Sequence, residues 1–507
     1  VAALLAAAVQ AAPGAGRALA FPAAPVDSGR DPRSVVALTV TYQGWDADRP
    51  WARTRPAVRQ ASAVVVEGPW LLTTAQMVAD ATFIQADKFG RSTRSHPRVQ
   101  FVDREVDLAL LAVDDPGFFA DLRPAPLASR TPVEGTLRSV RWREQQLEAA
   151  ASRVKRVLIE TSSYGRLEHP FLWVQTDLDG GGWAEPVFTD GKLVGLTVSQ
   201  SEQRARVIPV EILARFLERA RDPGTYPAFP VLGAMWQVNT DPALAAWLGQ
   251  REDPRGVLIR QIPWGSSGCG VLKSWDILLS IDGRPIDAEG FFTHPHFGQL
   301  RFPAIYVMDR VAGDTVPLQV LRQGRVIDLE MTLRASPIEQ DLVPARAAAA
   351  PPAYLIAGGL IFIELDVDYL RTWGRDWPSK APLRLIGRYH LDQLAQRPAR
   401  RRIVLLKSVL PSEYNIGYQD LEDQVVEAIN GLPIDSIADV DEALRRPEGE
   451  FQRIVLSPDS VRREIILDAA GLEEATAGIL EDYRIPAAVR LPAPLATDPP
   501  VDCPGDF

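Results

Sequence analysis

Cysteine, methionine and histidine are scarce in this 507-residue sequence, with two, four and five residues respectively. Cys269 and Cys503 stand far apart, so they supply neither a disulfide framework nor a CxxC metal or redox motif. The histidines are His96, His169, His294, His296 and His390. His294 and His296 are spaced to share a strand face, but no third and fourth ligand accompanies them, and the pair reads as part of a solvated loop. No metal and no cofactor is expected. A long hydrophobic run is also lacking: the most apolar stretch, residues 353–365, follows Pro351-Pro352, is broken by Gly358-Gly359 and falls short of the roughly 20 residues that span a bilayer. It reads as a buried strand after a linker, and no stable membrane insertion is expected. Nor is there a basic excess. Lys and Arg number 55 against 65 Asp and Glu, a net charge of -10, which favours solubility and disfavours nucleic-acid binding. Arg397 with Arg400, Arg401 and Arg402 has no aromatic platform or phosphate loop beside it and reads as a solvated turn before a strand at 403–406.

What the chain does have is 42 prolines and 36 glycines among many short runs of Val, Ile and Leu, which favours strands and turns over long helices. Its length implies three or four domains of about 100 to 200 residues each. Residues 1–9 have the length and composition of a signal-peptide apolar region, and Ala18-Leu19-Ala20 offers a small-x-small cleavage site, although basic residues before the stretch are missing. The expectation is an exported, periplasmic protein, or a cytoplasmic one if the leader is not a signal. Strands are expected at 35–42, 62–67, 70–74, 107–113 and 192–200, in a barrel or sandwich closed by an amphipathic helix at 209–221.

The second half carries an internal repeat. Asp241-Pro242-Ala243-Leu244 leading to Trp247-Leu248-Gly249 resembles Asp366-Val367-Asp368-Tyr369 leading to Thr372-Trp373-Gly374. Val257-Leu258-Ile259-Arg260 then matches Val404-Leu405-Leu406-Lys407, and Ile281-Asp282-Gly283-Arg284-Pro285-Ile286-Asp287 matches Ile429-Asn430-Gly431-Leu432-Pro433-Ile434-Asp435. The order is kept, so these are two copies of one module, each with an Asp-Gly or Asn-Gly hairpin turn. The second copy holds an insertion that includes an amphipathic stretch at 383–394.

With these landmarks the chain resembles the HtrA/Deg family, trypsin-like serine proteases followed by one or two PDZ domains, and is nearest to its plant-type Deg branch. The PDZ resemblance rests on Gly256-Val257-Leu258-Ile259, on Trp275-Asp276-Ile277-Leu278-Leu279-Ser280-Ile281-Asp282-Gly283, and on Leu318-Gln319-Val320-Leu321-Arg322-Gln323-Gly324. It implies a mainly β chain with α+β modules, a trypsin-like double β-barrel followed by two PDZ-like domains. The boundaries expected are a leader at 1–33, the protease-like domain at 34–222, PDZ-like domains at 226–336 and 353–490 with a linker at 337–352, and a tail at 491–507.

The family's Thr-Asn-Ala-His-Val motif reads Thr73-Thr74-Ala75-Gln76-Met77 here, with an amide that takes no proton near neutral pH in place of the general base. The Asp-Leu-Ala-Leu-Leu motif survives as Asp107-Leu108-Ala109-Leu110-Leu111, and the nucleophile motif reads Gly181-Gly182-Trp183-Ala184-Glu185-Pro186, which puts Trp183 at the serine position. Trp183 is expected to fill the space of a scissile carbonyl, and Asp177, Asp179 and Glu185 read as turn acids. A relocated pair of His169 with Ser162 or Ser163 lacks any sign of the required mutual geometry. The expectation is therefore no enzyme but a pseudoprotease, with degenerate triad positions Gln76, Asp107 and Trp183, acting as an adaptor or scaffold; an active endopeptidase with rearranged groups and a chaperone or assembly subunit are the alternatives. By resemblance, peptides would bind at Val231, Leu232, Gly233, Ala234 and Met235 in the first module and at Ile356, Ala357, Gly358, Gly359 and Leu360 in the second. The partners implied are unfolded proteins or protein C-termini, and further copies of the chain in a homo-oligomer.

Overall fold

The computed structural model describes residues 32–88, 94–162, 167–222, 228–263, 265–335, 341–345, 350–374, 376–392, 402–460 and 462–492. The signal-like leader, Ser163, Arg397, Arg400, Arg401, Leu394 and Cys503 lie outside them. Cys269 is buried and has no free thiol.

Alternating apolar residues build the first region. Its seven-stranded sheet runs in the order Arg94–Ser95, Ala81–Lys88, Val35–Tyr42, Ala57–Val66, Trp70–Thr73, Leu108–Ala112, Arg98–Asp103. Successive side chains of a strand point to opposite faces. Val36, Leu38, Val40, Ala109 and Leu111 accordingly enter one core with Met77 and Phe118, while Val35, Leu108 and Leu110, one residue out of phase, join a larger core shared with the next region. The antiparallel register, Val35 opposite Val64 through Tyr42 opposite Ala57, fixes that division.

Six strands then close a barrel in the order Glu168–Thr176, Arg204–Pro209, Lys192–Ser201, Pro186–Thr189, Thr136–Arg143, Gln146–Thr161. Closure leaves no edge strand in this half. The helix Val210–Ala220 buries Val210, Ile212, Leu213, Phe216, Leu217 and Ala220 on one face, as the apolar spacing predicts. Its opposite face reaches onward, where the Arg215 guanidinium donates to the carbonyl of Met308 at 2.6 Å.

The duplicated modules share their element order. In the first, the sheet runs Met235–Gln237, Val257–Gln261, Ile277–Ile281, Thr315–Arg322, Arg325–Thr332, which leaves Met235–Gln237 at one end. In the second it runs Glu464–Asp468, Phe451–Leu456, Gln424–Ile429, Val404–Val409, Leu360–Glu364, Tyr354–Ala357, Val489–Arg490. Asp241 and Asp366, matched in the repeat, both cap helices: Asp241 accepts from the amides of Ala243 and Leu244, and Asp366 from that of Tyr369. Both hairpin turns hold positive φ at two successive residues, 52° and 71° at Asp282-Gly283 and 50° and 78° at Asn430-Gly431. Two expectations shift. Residues 341–345, placed in the linker, pack into the second module, with Val343 fully buried and the Pro344 carbonyl accepting from Val367 N. The inserted stretch forms the helix Leu383–Gly387 and a π-turn at Arg388–Asp392, and it buries Leu385 against the same core.

Candidate functional site

Gln76 sits on the four-residue helix Ala75–Val78, which the strand Trp70–Thr73 delivers to the boundary between sheet and barrel. Its amide N–H donates to Asp107 Oδ1 at 2.8 Å, and its side-chain Nε2 crosses to the barrel and donates to the carbonyl of Val198 at 2.7 Å. Arg59, whose guanidinium lies 3.7 Å from the ring centre of Tyr42, donates to the Gln76 carbonyl. Gln76 is thereby a clamp between the two halves. Asp107 is 2 % exposed and holds a φ of +54°. Burial pushes its carboxyl up to about 7, against the opposing pull of the Gln76 and Ala75 amides and of Arg206.

The loop at 180–185 lies on the same strand that Gln76 reaches. A Cβ on Gly182 would meet Gln200 N at 3.0 Å and Ser199 Cα at 3.1 Å, so only glycine permits that approach. The structure thus gathers Gln76, Asp107 and this loop around residues 198–200. Trp183 departs from expectation. The residue is 46 % exposed, and its indole N–H folds back to the Gly180 carbonyl at 3.1 Å.

Glu185 also departs from the reading as a turn acid. It is fully buried, and its Oε2 accepts from the amides of Gly182 at 2.9 Å and Trp183 at 3.0 Å, while Gln200 Oε1 accepts from Gly181 N at 3.0 Å. The resemblance puts Gly181 N and Trp183 N at the positions that a trypsin-like loop directs at an oxyanion. Here they are satisfied from within. Arg141, 3.7 Å from Glu185 Oε1, holds the loop from below through the carbonyls of Asp179 and Gly180. Burial raises the Glu185 carboxyl despite the two amides. The sequence does not single out Gln200 or Arg59, and the one signal for the role of Glu185 is an acid standing where the motif has its last glycine.

His169 does not join this site as a base. Its ring is fully buried 4.2 Å from Phe171, and burial pushes the imidazole down to about 3. Ser162 Oγ donates instead to the Arg104 carbonyl. His294 Nδ1 accepts from the amides of His296 and Phe297, and His296 Nε2 lies 2.7 Å from the Thr131 carbonyl, so the two rings serve a turn and a contact with the barrel. Among the described residues no group of three or more metal-ligating side chains comes together, and no helix is long and apolar enough to cross a membrane.

In the first module, Val231 N donates to the Arg334 carbonyl, the Tyr306 hydroxyl hydrogen-bonds the Leu232 backbone, and the Leu232 carbonyl accepts from Gly268 N. No described residue hydrogen-bonds the amides of Gly233 and Ala234. Gly233 has a φ of +63°, and a Cβ there would lie 2.3 Å from Ser266 Cβ. Met235–Gln237 follows as an edge strand, with Met235 45 % and Val238 42 % exposed. The second module corrects its counterpart. Ile356, Ala357, Gly358, Gly359 and Leu360 are a hairpin: Ala357 pairs with Leu360 across the Gly358-Gly359 turn, and both strands are paired on their other sides, to Val489–Arg490 and to Val404–Val409. Gly358 N donates to Thr476 and its carbonyl accepts from Asn415, so no edge is open to a peptide at these residues.

With this geometry in place, the chain was compared with known proteins. A family model described as a PDZ domain matches residues 343–490. The putative protease Do-like 3, mitochondrial, of Arabidopsis thaliana is 25 % identical over 446 residues, covering 87 % of this chain and 76 % of the relative. The protease Do-like 2, chloroplastic, of the same plant is 26 % identical over 466 residues, covering 90 % and 74 %. Among solved structures, the HtrA-type protease AlgW with decapeptide aligns at 18 % identity and a TM-score of 0.46 over 60 % of this chain and 97 % of that one. The expectation that the chain is no enzyme is corrected by these relatives, which are named as proteases and align along almost all of it. Along most of its length the chain is similar to these plant Do-like proteases, and its residues 343–490 match a PDZ domain.

Proposed function

We propose that the chain captures polypeptides as added strands on the edge Met235–Gln237 of its first module, and serves as an adaptor or scaffold for unfolded proteins or protein C-termini. One observation carries this reading: an apolar strand left at the end of its sheet directly after the amides of Gly233 and Ala234, which no described residue engages. Edge strands of this kind must be covered or used, and a glycine turn before one suits the capture of a carboxylate. Export and assembly into a homo-oligomer belong to the same proposal; relatives named for mitochondria and chloroplasts support sorting out of the cytosol. The test is fluorescence polarisation with unstructured peptides bearing free or amidated C-termini. Gly233→Ala, which drives a methyl into Ser266, is expected to weaken binding about tenfold. Binding that ignores this change, or no binding at all, overturns the reading.

The relatives' names favour a second component, hydrolysis of the captured chain. Gln76 offers no base, so cleavage would draw on a rearranged set in which Asp107 is the ionisable group retained. Casein turnover abolished by Asp107→Asn supports that set. Turnover unchanged by the substitution removes Asp107 from it.

A further inference from the structure

A cation stands over the aromatic residue at the centre of the edge Met235–Gln237. Trp236 is half-buried, and its ring packs against Phe302, the residue before the helix Pro303–Asp309, at 5.0 Å and 64°. Its other neighbour is Gly290, with a φ of +87°, where a Cβ would lie 3.0 Å from the indole; glycine lets the ring lie against that turn. Arg301 ends the strand Gly298–Arg301 and places its guanidinium 5.4 Å from the Trp236 ring centre and 5.8 Å from that of Phe291. Half-buried between the two rings, it makes no ion pair with a described residue. Glu168 of the barrel lies within electrostatic reach but not in contact, and burial raises its carboxyl against the attraction of Arg301. A guanidinium oriented by aromatic faces, with no carboxylate touching it, suits an acceptor that a ligand brings.

The register of an added strand says which ligand residue meets that cation. With the terminal carboxylate at the amides of Gly233 and Ala234, the last residue of an antiparallel strand lies beside Ala234. Counting one for one, its third-last residue lies beside Trp236. Cross-strand neighbours share a face of the sheet with Cβ atoms about 5 Å apart, so the third-last side chain stands on the Trp236 face, and the next-to-last points to the opposite one. We propose that Arg301 selects captured chains that bear Asp or Glu at the third-last position. This selectivity rests on capture at the same edge and names its ligand class, acidic C-terminal segments. The guanidinium donates to the incoming carboxylate while the rings of Trp236 and Phe291 hold it in place, so little side-chain entropy is lost on pairing.

The test is fluorescence polarisation of the full chain with labelled peptides ending Glu-Ala-Val, Gln-Ala-Val or Ala-Glu-Val, all with free C-termini. The first is expected to bind about tenfold more tightly than the other two, the fold-change of one charge-assisted hydrogen bond. Arg301→Gln is expected to bring the three within about twofold while keeping the affinity for Gln-Ala-Val, which an unfolded module would lose. Arg301→Glu is expected to prefer a peptide ending Lys-Ala-Val to one ending Glu-Ala-Val. Equal binding of the Glu-Ala-Val and Gln-Ala-Val peptides by the parent chain, or a preference that survives Arg301→Gln, overturns the selectivity and leaves capture at the edge standing. An equal gain from Ala-Glu-Val overturns the register on which the selectivity depends. Binding of none of the peptides overturns capture at the edge, and the selectivity with it.

Discussion

Two buried acids near the boundary between sheet and barrel differ in what holds them. Glu185 is a structural acceptor whose removal strips partners from Gly182 N and Trp183 N and leaves Arg141 buried beside a void. Arg141 keeps Glu148 at 2.7 Å, so Glu185→Ala is expected to lower stability by about 2 kcal/mol, as for buried donors left without an acceptor, and Glu185→Gln by less, since an amide oxygen still accepts; thermal unfolding of the protease-like part reads the difference. Asp107 instead stands against the burial of its own charge. Its carboxyl, raised from 3.8 to about 7, holds a proton in the folded state that the unfolded chain releases, so its contribution to stability falls as pH rises from about 4 to 7. His169, lowered from 6.5 to about 3, binds its proton only when unfolded, so its contribution is lost as pH falls below 6.5. Between about pH 4 and 6.5 the two slopes offset each other. Asp107→Asn removes one of them and is expected to make the slope of stability against pH more positive than that of the parent chain by about 1.4 kcal/mol per unit across that window. Denaturant titrations at four pH values check this, and a slope unchanged from that of the parent chain would count against it.

The Gly358-Gly359 hairpin shows what a sequence does and does not reveal about an element. Gly359 has a φ of +90°, and a Cβ there would lie 2.5 Å from the Leu410 carbonyl oxygen and 2.3 Å from Asn415 Nδ2. Both the backbone conformation and the space demand glycine. Gly359→Ala is expected to destabilise the second module by about 2 kcal/mol, seen as a lower midpoint for its own unfolding transition. Legible in the sequence were the strands at 35–42 and 192–200, from their β-rich runs, and the Asp-Gly and Asn-Gly turns of the repeat. That the strand after Gly358-Gly359 is internal was not legible. Its neighbours, Val489–Arg490 and Val404–Val409, are distant in sequence, and only long-range pairing decides whether such a strand is an edge. Glu185 escaped for the same reason, because the amides that hold it become acceptor-seeking only once the loop closes over residues 198–200. Motif spacing pointed to Gln76 and Asp107, which the fold joins by a hydrogen bond, whereas the packing around Trp183 depends on tertiary contacts.

At the scale of the molecule, one loop ties the second module back to the first sheet. Residues 43–55 connect Val35–Tyr42 to Ala57–Val66 and pack Ala47 and Trp51 into the second module's core. Arg490 is the fastener: it donates to the Pro50 carbonyl at 3.0 Å and stands 4.6 Å from the Trp45 ring centre and 5.0 Å from that of Tyr354. Lys407 adds an ion pair to Asp48, but Asp48 is 87 % exposed and water screens that contact, so it contributes little. The loop continues to Gln43, whose amide donates to the Asp80 carbonyl, two residues past the helix that carries Gln76. A disturbance at Arg490 therefore has a contiguous route of packed groups toward the cleft. Arg490→Ala removes two cation–π contacts and a hydrogen bond, together about 2 kcal/mol at a partly desolvated site. The expected outcome is faster amide exchange across residues 43–55 and at Gln43 itself, with the sheet residues 35–42 unchanged. Lys407→Ala should leave exchange in the same loop within error. Equal effects of the two substitutions would mean that charge, and not the stacked arginine, holds the module in place.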